Sequence, residues 1–290
     1  MNSHLADTAA IVLEFHRPES SLCCIKSLVD AGLTRILLWD NSTDSGVTQE
    51  TLLVLLQREN LLQYVTFAGT GINLGFSAGI NAAMAFLSST QNIRYALLMN
   101  NDATINKEGV SALLESLQSA PENVLAAPQY LSNQKRNPAQ LFYQTYFAAL
   151  TEKKYLGSLA FLSGCCLLVD MEKAGSPLLD EAFFMYGEDI ELSFRLKRKG
   201  YRLCVANQAN VQHVGAASSV VGSPFYEYHV ARGHILLTSR IAHSPLHALI
   251  LWPSRMISLA ARSILRALRS GSAIPIRALW RAVFNLGVAG

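Results

Sequence analysis

The sequence predicts an α/β protein built on a largely parallel sheet with helices on both faces. Apolar runs of strand length alternate with segments of helix length over residues 9–127, and parallel strands need such helical crossovers to connect them. Half of the 290 residues are hydrophobic, which is enough to fill one large core or two modest ones. Together these observations predict a Rossmann-like sheet that is covered on both sides.

Each predicted strand is a short apolar run, and most are followed by a segment suited to a helix. The predicted strands cover residues 9–14, 35–40, 64–68, 95–100 and 124–127. The predicted helices between them cover residues 19–31, 48–59, 78–87 and 107–119. A further buried strand is predicted over residues 159–170, interrupted at Ser163-Gly164, where a glycine would let a ligand approach the backbone.

Residues 189–199 could form a helix or a strand by periodicity alone, because apolar and polar residues strictly alternate from Ile190 onward. We predict a helix, because acidic residues lead the segment and four of its last five residues are basic. Gly200 provides the stop.

Polar clusters follow three of the predicted strands, at residues 40–44, 69–79 and 100–102. Sheets of this kind bind ligands beyond the carboxyl ends of their strands. Asp40 could accept a hydrogen bond from a base edge, and the glycine-rich run before the next helix could bind phosphate, although a plain turn is the commoner explanation of such a run. Asp102 could bind magnesium or manganese. We therefore expect a nucleotide site at this edge.

A second group of candidate functional residues lies between Phe184 and His213. The acidic residues Glu188, Asp189 and Glu191 follow an apolar run at the start of a predicted helix, where the helix dipole favours a carboxylate and the apolar residues can exclude water. This arrangement suits a catalytic base. Each residue alone has a plainer explanation, with the acids capping a solvated helix and His213 packed in the core.

These motifs, in this order and spacing, resemble glycosyltransferase family 2 over roughly residues 8–220. The matching motifs are Asp40-Asn41-Ser42-Thr43-Asp44, Asn73-Leu74-Gly75-Phe76 with Asn81, Asn100-Asn101-Asp102, Gly187-Glu188-Asp189, Arg195 and His213. Within the family the chain most resembles bacterial rhamnosyltransferases of surface polysaccharide assembly. It departs from the usual pattern at Asn100, which takes the first place of the D-x-D-type motif, at Glu191 and in the ending of the first strand.

The resemblance implies a GT-A fold, a nucleotide-sugar donor and inversion of the anomeric centre. It implies that Asp189, with Glu188 beside it, is the base, and that Asp102 and His213 bind a divalent cation, magnesium or manganese. The nucleotide-sugar site would consist of Asp40, Asn73, Gly75, Asn81, Asn101 and Arg195.

The function implied is transfer of a sugar, best matched by L-rhamnose from dTDP-rhamnose, to a lipid-linked or polysaccharide hydroxyl in cell-envelope glycan synthesis. A dTDP- or UDP-sugar donor fits the resemblance, and galactofuranose, N-acetylglucosamine or glucose are alternative sugars. A non-catalytic membrane-bound scaffold that binds sugar nucleotides is the alternative from another class, and Asn100 is its best argument. A nucleotidyltransferase would need an early glycine-rich loop, which the first strand lacks.

The C-terminal part of the chain differs sharply in charge from the rest. Residues 228–290 hold eight arginines and no acidic residue, so of 24 basic and 21 acidic residues in the chain, 16 and 21 remain in residues 1–227. We therefore divide the chain into a catalytic domain, 1–227, and a basic amphipathic helical tail, 228–290.

The tail predicts contact with an anionic membrane surface. Arg255, Arg262, Arg266 and Arg269 share one helical face while isoleucines and leucines fill the others. Pro253 and Arg255 interrupt the apolar run, so we do not expect the helix to span. A helix packed on the domain or a homodimer contact is the alternative. Arginines interleaved with leucine and isoleucine argue against nucleic acid.

The cysteines and the N-terminus predict the compartment. Two adjacent pairs and Cys204 contain no C-x-x-C spacing, which indicates buried thiols in a reducing environment. No basic residue precedes the first apolar run, unlike in a secretory signal. We expect a cytoplasmic protein, peripheral on the inner face of the cytoplasmic membrane. The aromatic-rich residues 129–156 could be an acceptor-binding insertion or a structural excursion, and the sequence does not separate the two.

Overall fold

The computed structural model describes residues 3–90, 92–132, 135–213 and 220–287. The helices are α1 (Ser3–Ala6), α2 (Pro18–Asp30), α3 (Val47–Arg58), α4 (Gly75–Thr90), α5 (Lys107–Gln118), α6 (Met171–Ala174), α7 (Glu188–Arg198), α8 (Pro224–Arg240), α9 (Pro245–Ser270) and α10 (Ile274–Val283). The strands are β1 (Thr8–Glu14), β2 (Ile36–Asp40), β3 (Val65–Gly69), β4 (Tyr95–Asn100), β5 (Ala103–Ile105), β6 (Asn123–Ser132), β7 (Lys135–Asn137), β8 (Gln140–Gln144), β9 (Ala149–Thr151), β10 (Ser158–Leu162), β11 (Cys166–Asp170) and β12 (Arg202–His213).

The predicted α/β architecture with a largely parallel sheet is confirmed. The main sheet runs in the order β3-β2-β1-β4-β11-β6-β12-β5, with β7 added beside β6. Strands β3, β2, β1, β4, β6 and β12 point the same way, whereas β11 lies antiparallel between β4 and β6. The carboxyl ends of β1, β2 and β4 therefore meet at one edge, and the long β12 brings its own carboxyl end to that edge.

The predicted interrupted strand at residues 159–170 is two strands. The first part, β10, pairs with β8 in a separate three-stranded sheet, and the second part, β11, enters the main sheet. Ser163 and Gly164 form the crossing between the sheets, and the amide of Asn100 donates to the carbonyl of Cys165 (2.9 Å). The crossing therefore lies at the ligand-binding edge.

Helix starts follow the local chemistry of the chain. The side chain of Asn106 accepts a hydrogen bond from the amide of Gly109 (2.9 Å) at the start of α5. Ser223 and Ser244 cap α8 and α9 in the same way, and each is followed by proline in the first helical turn. These caps fix where the tail helices begin.

The tail packs on the rest of the molecule through a second hydrophobic cluster. Phe183, Ile190 and Phe194 contribute to this cluster from the acidic segment, and Leu251 and Leu279 contribute from α9 and α10. The predicted domain boundary between residues 227 and 228 falls inside α8.

Arg255 is the most deeply buried basic side chain of the tail, at 1% exposure. Its guanidinium donates to Thr238 Oγ1 (2.8 Å), the carbonyl of Thr145 (2.6 Å), the hydroxyl of Tyr143 (2.6 Å) and the carbonyl of His234 (2.5 Å). The guanidinium carbon also lies 5.3 Å from the Tyr143 ring centre. This one side chain ties α8, α9 and the three-stranded sheet together.

The arginine face of α9 therefore points inward, and the expectation that these arginines lie on lipid is wrong for three of the four. Besides Arg255, Arg262 donates to the carbonyl of Ala148 (2.6 Å), and Arg266 pairs with Glu227 (3.0 Å). The opposite face is apolar and exposed. Its exposed residues are Leu246, Ile250, Pro253, Ile257, Ala261, Ile264 and Leu268.

By length and composition alone, α9 is the one helix among the described residues that could cross a bilayer. In this structure, however, α9 lies along the protein, since Arg255 near its middle is bonded to three other parts of the chain.

We expect Arg255→Gln to lower the free energy of unfolding by about 3 kcal/mol or more, because the shorter side chain leaves buried carbonyl and hydroxyl groups without donors. Urea denaturation measures this change. The matched control is Arg269→Gln, four turns along the same helix at an exposed position, which should stay within about 0.5 kcal/mol of the wild type. Equal stability of the two variants would contradict the central role given to Arg255.

Candidate active site

A cavity of about 390 Å³ opens at the carboxyl edge of the main sheet. Its walls come from the ends of β1, β4 and β12, the start of α4, the Ser163–Cys165 crossing, the start of α7 and the start of α8. The residues that line it include Asn41, Asn73, Gly75, Asn101, Asp102, Gly164, Phe184, Tyr186, Glu188, Asp189, His213, Phe225 and Tyr226. Most of the predicted site residues are among them.

The loop before α7 is held between two helices by glycines. At Gly75, the first residue of α4, an added Cβ would lie 2.6 Å from the carbonyl oxygen of Phe184, and the next amide, that of Phe76, donates to this oxygen (2.7 Å). On the other side, an added Cβ at Gly233 of α8 would collide with the carbonyl oxygen of Tyr186. Only glycine at both positions allows this approach.

Aromatic rings from α8 complete the clamp. His229 stacks on Phe184 with ring centres 4.8 Å apart, and Tyr226 contacts Tyr186 edge to face at 5.4 Å. Tyr186 and Gly187 both have left-handed backbone, with φ of 66° and 102°. This turn directs the chain into α7 so that its first two residues, both acidic, face the cavity.

Glu188, which is buried, and Asp189, which is partly buried, form an acidic pair on the cavity wall. Asp189 Oδ2 accepts from the amide of Gly164 (3.3 Å), and Oδ1 accepts from the amide of Ile190 (2.8 Å). Glu188 Oε2 is buried without a hydrogen-bond partner among the described residues. Burial raises the pKa of both carboxyls, and the charge of Asp189 raises the pKa of Glu188 further. Both groups therefore hold a proton more tightly than in water.

Asp102 and His213 meet on another wall of the cavity. Strand β12 pairs with β5 so that His213 lies opposite Ala103, and this register places His213 Nε2 3.1 Å from Asp102 Oδ1. The two residues are 111 positions apart in sequence, so only the sheet topology brings them together.

These two side chains fit a magnesium or manganese ion as a partial ligand set. A carboxylate oxygen and an imidazole nitrogen both suit manganese, and phosphate oxygens complete such sites in nucleotide-dependent enzymes. No group of three or more His, Cys, Asp or Glu side chains with metal-site geometry occurs among the described residues. The arrangement therefore fits a cation that is bound jointly with a diphosphate.

Three of the predicted nucleotide-sugar residues reach the cavity. Asn73 accepts from the amide of Gly75 (2.9 Å), which orders the turn into α4, and Asn101 donates to the buried carboxylate of Glu14 (3.4 Å). The amides of Gly75 and Phe76 are both engaged within the protein. The predicted phosphate cradle of free amides at this helix start is therefore not present at these two positions.

The structure does not bring the other three predicted residues to the cavity wall. Asp40 lies at the end of β2 and accepts from the amide of Ser42 (2.8 Å). Asn81 is buried in α4, where its amide bonds the backbone of Leu179 through both oxygen and nitrogen. Arg195 donates to Glu191 (2.8 Å) and to a backbone carbonyl, so it braces α7.

Several lining residues were not singled out from the sequence. Asn41 lies within the polar cluster at residues 40–44, and its side chain faces the cavity and donates to the carbonyl of Gly75 (2.8 Å). Phe225 and Tyr226 reach the cavity because α8 packs against the loop before α7, and no local pattern indicates that contact. Glu14, a fully buried carboxylate behind Asn101, also went unnoticed, and burial raises its pKa.

We expect Gly233→Ala to destabilise the protein by about 1 to 3 kcal/mol, because the methyl group would force α8 away from Tyr186. The sign is informative, since helix propensity alone predicts that alanine stabilises a helix relative to glycine by about 1 kcal/mol. Thermal denaturation measures the effect. Ser239→Ala, at an exposed position of the same helix, is the control and should not lower the melting temperature.

We expect Glu188→Gln to stabilise the protein by about 1 to 3 kcal/mol near neutral pH, because it removes a buried carboxyl whose charge has no partner. With its folded-state pKa raised, wild-type Glu188 costs stability as the pH rises from its ordinary pKa through the raised value. The difference in melting temperature should therefore grow between pH 5 and pH 8. Glu191→Gln is the matched control and should destabilise, because Glu191 pairs with Arg195 (2.8 Å).

The chain resembles one known protein by sequence and several solved structures by fold. No protein-family model matches the sequence. The low-salt glycan biosynthesis hexosyltransferase Agl10 of Haloferax volcanii is 24% identical over 211 residues, which are 69% of this chain and 64% of that protein. The chain thus spans slightly less than two thirds of the length of this relative.

Solved structures resemble the whole described architecture. The mannosyltransferase PcManGT from Pyrobaculum calidifontis, in complex with GDP-Man and Mn²⁺, has a TM-score of 0.59 at 12% identity and covers 96% of this chain and 87% of its own. GalNAc-T7 with UDP, GalNAc and Mn²⁺ has a TM-score of 0.56 at 12% identity, covering 78% and 47%. Staphylococcus aureus TarS has a TM-score of 0.52 at 16% identity, covering 85% and 42%. These likenesses establish that the chain has the GT-A glycosyltransferase fold.

Proposed function

We propose that the protein is an inverting glycosyltransferase that transfers a sugar from a nucleotide-sugar donor to a hydroxyl group. The observation that carries the proposal is the placement of the acidic pair Glu188 and Asp189 and of Asp102 with His213 in one cavity at the carboxyl edge of a GT-A sheet. The hexosyltransferase relative and the nucleotide-bound structural neighbours support the same class of reaction.

Asp189 is the proposed base. One carboxylate oxygen takes the proton of the acceptor hydroxyl while the hydroxyl oxygen forms a bond to the anomeric carbon and the bond from that carbon to the diphosphate oxygen breaks. The raised pKa makes Asp189 a stronger base than an ordinary aspartate, and the amides of Gly164 and Ile190 hold its orientation. Attack opposite the leaving diphosphate inverts the anomeric centre.

Asp102 and His213 are the proposed ligands of a magnesium or manganese ion. Such an ion, bound with the donor, would offset the negative charge of the leaving diphosphate. Asn73, Gly75 and Asn101 form the proposed donor side of the cavity, and Asn41 joins them. Glu188, buried beside Asp189, is the second carboxyl of the proposed catalytic pair, and burial and the charge of Asp189 raise its pKa.

The proposed donor is dTDP-rhamnose, with UDP-sugars and other hexoses as alternatives, and the proposed acceptor is a lipid-linked or polysaccharide hydroxyl in cell-envelope glycan synthesis. The sequence resemblance to rhamnosyltransferases supports the sugar. The five cysteines form no disulfide, which fits the reducing cytoplasm.

A donor panel tests the proposal directly. Purified protein with manganese should release nucleoside diphosphate from one nucleotide sugar in a panel that includes dTDP-rhamnose, UDP- and GDP-sugars, and chelator should abolish the release. Asp189→Asn should lower transfer by about 10² to 10⁴-fold while the affinity for the donor stays within a few fold. The control is Asp180→Asn, at a partly buried aspartate that does not line the cavity and pairs with Arg240 (2.6 Å). Transfer by Asp189→Asn at the wild-type rate would overturn the assignment of the base.

We also propose that the outer face of α9 and α10 lies on an anionic membrane. Five apolar side chains of these helices are 45–76% exposed, namely Ile257, Ile264, Leu268, Ile276 and Trp280. Residues 228–290 contain no acid. Arg269 and Arg277 are exposed on the same helices, so a second copy packed here would bring like charges together, whereas anionic lipid complements them.

We expect the triple variant Ile257→Glu, Ile264→Glu and Leu268→Glu to lose vesicle binding by about 100-fold or more, because each apolar side chain buried in lipid contributes about 1.5 to 3 kcal/mol. Flotation with phosphatidylglycerol vesicles measures the change. Val54→Glu, 66% exposed on α3, is the control and should float like the wild type. The face would instead be a homodimer surface if the wild type does not bind vesicles and light scattering shows a dimer for the wild type and a monomer for the triple variant.

A further inference from the structure

A second cavity, of about 270 Å³, lies between α8 and α9, apart from the candidate active site. Arg262, Arg266, Arg269 and His234 line it together with apolar side chains such as Leu259 and Leu265. It shares no lining residue with the active-site cavity. Three guanidinium groups on one small cavity with apolar walls are unusual, because desolvated cations need counter-charges.

The described residues supply little counter-charge. Glu227 pairs with Arg266 (3.0 Å), but burial raises the pKa of this carboxyl and so weakens the compensation. Arg262 is bonded to backbone carbonyls only, and Arg269 makes no hydrogen bond or ion pair with a described residue. The Nε atoms of Arg262 and Arg266 are buried without a hydrogen-bond partner among those residues.

The shifted pKa values of neighbouring groups indicate the same excess of positive charge. Burial, together with smaller contributions from Arg262, Arg255 and Arg266, lowers the pKa of His234 to about 3, so His234 is neutral. Burial and two neighbouring arginines also lower the pKa of Arg262. Four arginines thus face one carboxylate in this region.

We propose that the cavity between α8 and α9 binds a phosphomonoester or diphosphate group. Guanidinium groups bind such anions through paired, charge-assisted hydrogen bonds. Arg269 is exposed at the cavity mouth and can reach the ligand without giving up a contact. Phosphate would supply the missing negative charge.

The position of the cavity indicates a phosphate carried by a lipid. Leu265 lines the cavity and is itself 45% exposed, and Leu268 beside it is 76% exposed. A phosphate in the cavity would therefore have its hydrocarbon chain along the apolar face of α9. A free phosphate offers the same charged oxygens, and comparing pyrophosphate with phosphate-bearing lipid vesicles separates the two sources.

Helix α8 connects this cavity to the active site. Tyr226 lines the active-site cavity and Val230 lines the second cavity, one helical turn further along the same face. The rise between these residues is about 6 Å. A diphosphate-linked lipid acceptor could thus hold its diphosphate between α8 and α9 while its sugar reaches Asp189. This last step rests on the proposed function, whereas phosphate binding does not.

The test measures binding without catalysis. Inorganic pyrophosphate is titrated into the protein in a calorimeter, with chelator present to suppress metal-dependent binding at the donor site. The proteins compared are the wild type, Arg269→Gln and Val230→Phe. The control is Arg277→Gln, which changes an exposed arginine of α10 outside the cavity. Vesicles of phosphatidylcholine with phosphatidic acid, a phosphomonoester, are compared with vesicles of equal surface charge that contain phosphatidylglycerol, a phosphodiester.

We expect the wild type to prefer phosphatidic acid by about tenfold or more, and Arg269→Gln and Val230→Phe to lose this preference while Arg277→Gln keeps it. The cavity would be assigned to free phosphate if the protein shows no lipid preference and pyrophosphate binding is weakened by the same two variants but not by Asp102→Asn. Equal binding of all variants, or no binding of either probe by the wild type, would overturn the proposal. If no nucleotide sugar in the donor panel is hydrolysed, these binding results still stand. The proposed function and the proposed phosphate site can therefore be refuted independently of each other.

Discussion

The site depends on one close approach of backbones. The Phe184 and Tyr186 carbonyls lie against Gly75 of α4 and Gly233 of α8, so the loop before α7 has helices packed on both sides. This clamp fixes two consecutive left-handed residues, Tyr186 and Gly187, and these set the direction in which α7 begins. The position of the acidic pair follows from that direction. A tail helix is therefore part of the active-site wall.

The buried arginine of α9 has a comparable role for the C-terminal part of the molecule. Arg255 satisfies acceptors on α8 and on the segment that carries β8 and the following turn, and this requires the arginine face to turn inward. The apolar face is then left outside. This arrangement, with the basic side buried and the apolar side exposed, is the reason for the proposed contact of α9 with lipid.

Much of the fold could be predicted because the central strands β1, β2, β4 and β11 are continuous apolar runs that are buried on both sides. Helix α5 was predicted to within one residue, since its apolar residues keep helical spacing and Asn106 caps it. The pairing of Asp102 with His213 depends instead on the register of β12 against β5, which no local pattern records. The structural roles of Asn81 and Arg195 could not be predicted for the same reason. Asn81 bonds the backbone of Leu179, which is far away in sequence, and Arg195 bonds the carbonyl of Leu178. Both partners lie in a segment without regular secondary structure, so no periodic pattern indicates these contacts. Helical spacing placed the arginines of α9 on one face, but which face packs inward depends on acceptors that only the tertiary structure supplies.

The central claim is that a nucleotide sugar and a divalent cation bind together in the cavity between Asp102, His213 and Asp189. Anomalous diffraction at the manganese edge, on crystals soaked with Mn²⁺ and the nucleotide sugar that the protein hydrolyses, tests it most directly. The account predicts one manganese peak bonded to Asp102 and His213, with the diphosphate on the same ion and the anomeric carbon facing Asp189. A manganese ion bound elsewhere, or a donor lying outside this cavity, would contradict it.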